Sequence, residues 1–90
     1  MPAITHARIA CLVRNDNTII QNAFTEGYDV DYVDLTNELA FIVLHTRHPS
    51  LDELGKLITA LNPEAFTITF YYDDNTYRTF RDRLPSQSEL

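Results

Sequence analysis

The chain has 90 residues, 44% of them hydrophobic and 22% charged, with only two glycines. This length and balance predict one small globular domain and exclude a disordered or modular chain. Thirteen acidic against seven basic residues give a formal charge of −6, which disfavours nucleic acid or an anionic membrane as a direct ligand.

The cysteine content and the apolar runs bear on the compartment. Cys11 is the only cysteine, so neither an internal disulfide nor a four-cysteine zinc site is possible within one chain. No apolar stretch approaches the roughly 18 residues of a membrane span, and the first residues lack a basic region followed by an apolar run. We therefore expect a protein of the reducing cytoplasm, without a cofactor and without contact with a membrane.

Residues 7–25 are predicted to form a first hairpin. Apolar residues alternate along the chain as far as Val13, turn-forming residues follow at 15–17, and apolar residues return at Ile19 and Ile20. A tight loop between these two segments would place Val13 opposite Ile20.

A half-exposed strand is predicted at residues 28–32. Its side chains alternate, so that the two tyrosines and Val30 would face one way, and Asp29 and Asp31 the other. A turn at residues 34–38 would then complete a second hairpin.

The partner strand in that hairpin is predicted at residues 39–44. These are six consecutive apolar residues, which favours a mid-sheet strand covered on both faces over one with a solvated side. Pro49 closes this element, because the residue before a proline is pushed away from helical geometry.

An amphipathic helix follows at once. Ser50 and Glu53 have the spacing of a capping box, and Asn62-Pro63 supplies the stop. Apolar residues recur at three- and four-residue steps, which predicts one stripe that packs on the sheet. The stripe comprises Leu51, Leu54, Leu57, Ile58 and Leu61.

A last hairpin is predicted from the alternation at residues 66–72 and the return of the chain at 77–83. A three-residue loop at 74–76 would set Phe70 opposite Phe80.

These elements predict a single α+β domain over residues 1–84, followed by a flexible tail at 85–90. Its two layers would be a mainly antiparallel sheet of about six strands and one amphipathic helix packed on one face. The predicted order is strand, strand, strand, strand, helix, strand, strand. If the fourth and fifth strands are parallel, the helix crosses over between them.

The distribution of charge is the most unusual feature of the sequence. No lysine or arginine lies between Arg14 and Arg47, whereas six acidic residues do. Such a row is typical either of a surface that imitates a nucleic-acid backbone in a basic groove, or of a solvated strand that resists edge-to-edge aggregation. The residues expected to contact a basic partner are Glu26, Tyr28, Asp29, Asp31, Tyr32, Asp34 and Glu38.

The last hairpin combines aromatic residues with arginines. This composition is typical of a protein interface, although aromatics of a strand pair can equally cover the core. The arginines could also neutralise the acidic strand, within one chain or between copies. The residues of this possible second interface are Tyr71, Tyr77, Arg78 and Arg81.

Two patterns contain metal-ligating residue types. Asp29-x-Asp31-x-x-Asp34 lacks the glycine and the distal glutamate of a calcium-binding loop. The pair His45 and His48 would need further ligands brought by folding. We therefore expect no metal site.

Cys11 lies in an apolar alternation, the usual setting of a small core residue and not of a nucleophile. Glycine-rich phosphate loops and hydrolase motifs are absent. Small size, acidity and a lack of catalytic motifs make the chain similar in kind to phage- or plasmid-borne inhibitors, including anti-CRISPR proteins, a likeness of gross properties that assigns no residues.

We therefore predict a non-enzymatic binding protein whose acidic face occupies a basic, nucleic-acid-binding surface of a protein partner. The alternative is a structural or regulatory module that forms a homodimer, through a strand edge or the aromatic hairpin.

Overall fold

The computed structural model describes residues 2–90 as a small α+β domain. It has five strands, one fewer than expected, and a second, five-residue helix. In chain order the elements are β1 (Ile4–Arg14), α1 (Asn17–Gln21), β2 (Asp29–Leu35), β3 (Leu39–Thr46), α2 (Leu51–Leu61), β4 (Ala65–Tyr72), β5 (Tyr77–Arg81) and a 3₁₀ turn (Gln87–Glu89).

The strands form one sheet in the order β2-β3-β1-β4-β5, and every neighbouring pair is antiparallel. The central strand is therefore β1, and β3 lies next to the edge strand β2. Because β3 and β4 both run antiparallel to β1, they are parallel to each other, and α2 connects them across β1.

The predicted first hairpin is wrong, because the chain turns into α1 where a second strand was expected. Asp16 caps this helix, its Oδ1 accepting a hydrogen bond from the Thr18 amide at 2.8 Å. Both edges of β1 are already paired with β3 and β4, so the β-branched Ile19 and Ile20 cannot pair with β1 as predicted. Val13 lies opposite Ala40 instead.

The predicted helix is confirmed as α2. The Ser50 hydroxyl accepts from the Glu53 amide at 3.4 Å, and Asn62 ends the helix in the left-handed region with φ 43°. The apolar stripe packs on the sheet, and its buried members are Leu54, Leu57 and Leu61.

The hydrophobic core lies between the helices and one face of the sheet. Along β3, Ala40, Ile42 and Leu44 are fully buried, whereas Phe41 between them is 37% exposed. The expectation that this strand is covered on both faces is therefore wrong. A continuous apolar run also results when the outward side of a strand is apolar and nothing covers it.

The last hairpin is confirmed, but its predicted register is wrong by two residues. Phe80 lies opposite Ile68, not opposite Phe70. The loop closes one residue earlier than expected, at 73–75, with Asn75 in the left-handed region at φ 68°. Asparagine tolerates this conformation at the third position of a three-residue hairpin loop.

The C-terminal residues make contacts with one another and with β4. Arg83 pairs with Glu89, and the Tyr72 hydroxyl donates to the Leu90 carbonyl oxygen at 3.3 Å. The flexibility expected at 85–90 concerns motion and stays a prediction.

At 11 residues, α2 is the longest helix of the described chain, well short of the roughly 20 residues that cross a bilayer.

Candidate functional site

A β-bulge in β2 decides which side chains share a face. The pairing of β2 with β3 shifts between Val30 and Tyr32, so that Asp31 is an extra residue. The simple alternation expected at residues 28–32 is therefore wrong. Tyr32 shares a face with Asp29 and not with Val30, because the bulge reverses the side on which each later residue lies.

That face is the side of the sheet that the helices do not cover, called the open face below. Residues directly opposite each other in neighbouring strands have side chains on the same face. Asp29 lies opposite His45, Tyr32 opposite Val43 and Asp34 opposite Phe41. None of the open-face residues is buried within the described chain. They comprise His6, Arg8, Ala10, Leu12 and Arg14 of β1, Asp29, Asp31, Tyr32 and Asp34 of β2, Leu39, Phe41, Val43 and His45 of β3, Ala65, Thr67, Thr69 and Tyr71 of β4, and Tyr77, Thr79 and Arg81 of β5.

The open face is apolar on its central strands, at the end where Leu12 lies. Leu12 lies between Phe41 on β3 and Ala65 on β4. The ring of Phe41 meets that of Tyr32 edge-on, with centroids 6.1 Å apart. Tyr32 is 53% exposed. An apolar notch of about 230 Å³ opens at the Leu12 end of this area, bordered by Arg81. This combination of exposed aromatic and aliphatic surface is typical of a binding face.

The acids along β2 are only partly neutralised by their neighbours. Asp31 lies 3.8 Å from the Arg8 guanidinium and 3.7 Å from His45 Nδ1, which is also 3.8 Å from Asp29. Asp34 forms no ion pair with any side chain of residues 2–90. Among these acids, Asp31 is partly offset by Arg8, whereas the charge of Asp34 is not offset by an ion pair with residues 2–90.

The other predicted partner-binding residues do not join this face. Tyr28 is half-buried against the core on the helix side, where burial and the nearby Glu53 carboxylate raise its pKa. Glu26 and Glu38 are exposed in the loops that flank β2. Of the predicted set, the structure therefore brings together Asp29, Asp31, Tyr32 and Asp34.

The predicted second interface is divided between two faces. Tyr71 and Tyr77 lie opposite each other on the open face, as does Arg81 opposite Thr67. Arg78 lies on the core side, opposite Phe70, and donates to the Glu89 carbonyl oxygen at 3.1 Å. Arg81 is therefore the one basic residue of this set that the open face presents.

His6 and His45 line a cleft of about 380 Å³ that extends across the open face from Asp31 of β2 to Tyr71 of β4, and His48 is not part of its lining. His6 stacks on Tyr71 at 4.5 Å and meets His45 edge-on at 6.2 Å. Across residues 2–90, no three side chains of metal-ligating type are placed to hold a metal ion.

Cys11 lies in the core and not on the open face. It is 1% exposed, its thiol donates to the Ile42 carbonyl oxygen at 3.6 Å, and burial raises the pKa of the thiol to about 11. A protonated, enclosed thiol lacks the thiolate and the access that a nucleophile needs.

The apolar part of the site was not predicted from the sequence. Phe41 and Val43 belong to the strand that was expected to be covered on both faces, because an apolar residue has the same pattern on a covered face and on an open one. One signal of an open face was present in the sequence. Arg8 and Arg14 occupy the same alternate positions of β1 as Ala10, and charged residues are expected on an uncovered side.

Comparisons with protein-family models, with curated proteins and with solved structures found no match.

Proposed function

We propose that this chain is a non-enzymatic binding protein whose open face occupies a basic surface of a protein partner. The observation that carries the proposal is the bulge at Asp31, which sets Asp29, Tyr32 and Asp34 on the same uncovered, partly apolar face. Charge alone would also fit a solvated strand. Acids that border exposed aromatic and aliphatic side chains favour a contact surface.

The two parts of this face have different roles in the proposal. Asp29, Asp31 and Asp34 attract a basic partner over distance and set its orientation. Tyr32 and Phe41, with rings 6.1 Å apart, supply the apolar contact that holds it. The net charge of −6 acts in the same direction for any basic partner.

The proposed partner is a cytoplasmic protein whose basic surface otherwise holds nucleic acid, so that the chain acts as a stoichiometric antagonist. This specific class rests on the sign of the charge and on the absence of lysine and arginine between Arg14 and Arg47. Nucleic acid itself is not proposed as a ligand, because its phosphates would face the same acids.

The test is an affinity pull-down from native host lysate, run at low and at high salt with two charge-matched variants. The test variant combines Asp29→Lys and Asp34→Lys. The control combines Asp52→Lys and Glu64→Lys, which add the same charge at exposed positions away from the open face. Circular dichroism checks that both variants fold.

We expect wild type and the control to retain one nucleic-acid-binding protein at low salt, and the test variant to lose it. High salt should release the partner from wild type, because exposed charges are screened. The recovered partner should also lose a labelled oligonucleotide when the chain is added. Equal retention by the two variants, or capture unaffected by salt, would contradict the proposal.

A further inference from the structure

Asp34 and Arg81 carry charges of opposite sign on the same face. Asp34 belongs to the edge strand β2 and Arg81 to the opposite edge strand β5. Neither forms an ion pair within residues 2–90. Four strand spacings separate them, about 19 Å at roughly 4.8 Å each. They are therefore too far apart to pair within one chain.

We propose that two copies of the chain pack open face against open face, about a two-fold axis that runs roughly along β1. This axis exchanges the two edges of the sheet, so that β5 of each copy lies over β2 of the other. The basic edge then meets the acidic edge twice in one closed, self-complementary interface. The inference does not rest on the proposed function.

The register of the sheet locates the contact. Tyr32, Val43, Ala10, Thr67 and Arg81 form one row of directly opposed residues across the five strands. Rotation about β1 carries one end of this row onto the other. Arg81 of each copy is thereby set over Tyr32 of the other, beside Asp34. A guanidinium above an aromatic ring and next to a carboxylate is a favourable arrangement.

Charge also distinguishes this axis from the other possible ones. A two-fold axis perpendicular to the strands, in the plane of the interface, would set β2 over β2 and oppose the acids of both copies. Pairing of two β2 edges would do the same, and the bulge at Asp31 further resists it. Sheets that pack face to face usually keep their strands within about 30° of each other, which the proposed axis allows.

The area of the open face determines the expected strength of the dimer. Five strands and about four rows of outward side chains cover roughly 600 Å² in each copy. The total of about 1,200 Å² is at the lower limit of specific, stable interfaces. Leu12 lies close to the axis, so the apolar area around Leu12, Phe41 and Val43 would be buried between the two copies. We therefore expect a weak dimer, populated at micromolar concentrations and above.

The test is a charge exchange followed by sedimentation at low salt. In Asp34→Arg both contacts of the dimer become arginine against arginine, and in Arg81→Asp both become acid against acid. Each variant alone should self-associate at least about tenfold more weakly than wild type. In an equimolar mixture, the mixed dimer has one native and one exchanged pair, so association should return. Arg78→Asp, on the same strand but the other face, should leave self-association unchanged.

Three results would overturn the inference. The first is a wild-type chain that stays monomeric up to about millimolar concentration, where even a weak specific contact would be occupied. The second is single variants that associate as wild type does. The third is a mixture that fails to associate, which would contradict the axis even if the chain dimerises by another face.

Discussion

Arg83 and Glu89 form a two-pronged ion pair in which the guanidinium nitrogens lie 3.0 and 2.6 Å from the two carboxylate oxygens. The hydrogen bonds from Arg83, followed by one from the Ser86 amide, lower the pKa of Glu89 from an ordinary value of 4.5 to about 2. A carboxyl with a lowered folded-state pKa stabilises the fold above its unfolded pKa. We therefore expect this contact to be complete above pH 4.5 and lost as the pH falls towards 2.

The carboxyl carbon shift of Glu89, followed by NMR during an acid titration, measures this directly. Arg83→Gln should return the midpoint towards the ordinary value, since it removes the largest cause of the shift. The Arg83 side chain is exposed and that of Glu89 is partly exposed, so added salt should weaken the effect. An ordinary midpoint in the wild type would show that the pair does not persist in solution.

Gly55→Ala should stabilise the domain by about 0.5–1 kcal/mol, because alanine is favoured over glycine in a helix interior. A methyl carbon there would lie 3.4 Å from Leu84 Cδ1, which requires little movement of a flexible side chain. Gly27→Ala is the matched control with the opposite sign. Gly27 has φ +88° and open space around it, so backbone strain alone should destabilise that variant. Urea unfolding of both variants tests the pair of signs.

Leu57→Ala should destabilise the domain by about 2–5 kcal/mol, the range for emptying a packed core position. Leu57 is 5% exposed and belongs to the stripe of α2 that covers the sheet. The neighbouring Lys56→Ala, at an exposed position, should change the free energy of unfolding by no more than about 0.5 kcal/mol. Equal urea midpoints for the two variants would mean that α2 is not docked as described.

Cys11 should resist thiol reagents at pH 8 in the folded protein and react at once in denaturant. Burial raises the pKa of its thiol to about 11, so almost no thiolate is present at that pH. Ellman's reagent, added to native and to urea-unfolded protein, compares the two rates. A native rate close to the unfolded one would show that β1 opens readily at its centre.

The local parts of this fold could be predicted from the sequence. Ser50, the apolar stripe and Asn62 define α2, because caps, helical periodicity and stop signals act within a few residues along the chain. The hairpins around residues 36–38 and 73–75 were also recognised, since their alternation and turn residues are adjacent in sequence. The acidic row of β2 could be recognised from the sequence alone.

Only the tertiary structure decided which strands are neighbours and which face stays open. β1 pairs with β3 and β4, which are distant from it in the sequence. Ile19 and Ile20 lie instead in a helix that Asp16 caps. The bulge at Asp31 is a feature of the pairing of β2 with β3 and has no marker of its own in the sequence. It reverses the side of Tyr32 and so decides which residues the candidate site contains. The physical reason is that propensity acts locally, whereas strand pairing and the covering of a face depend on residues far apart in the sequence.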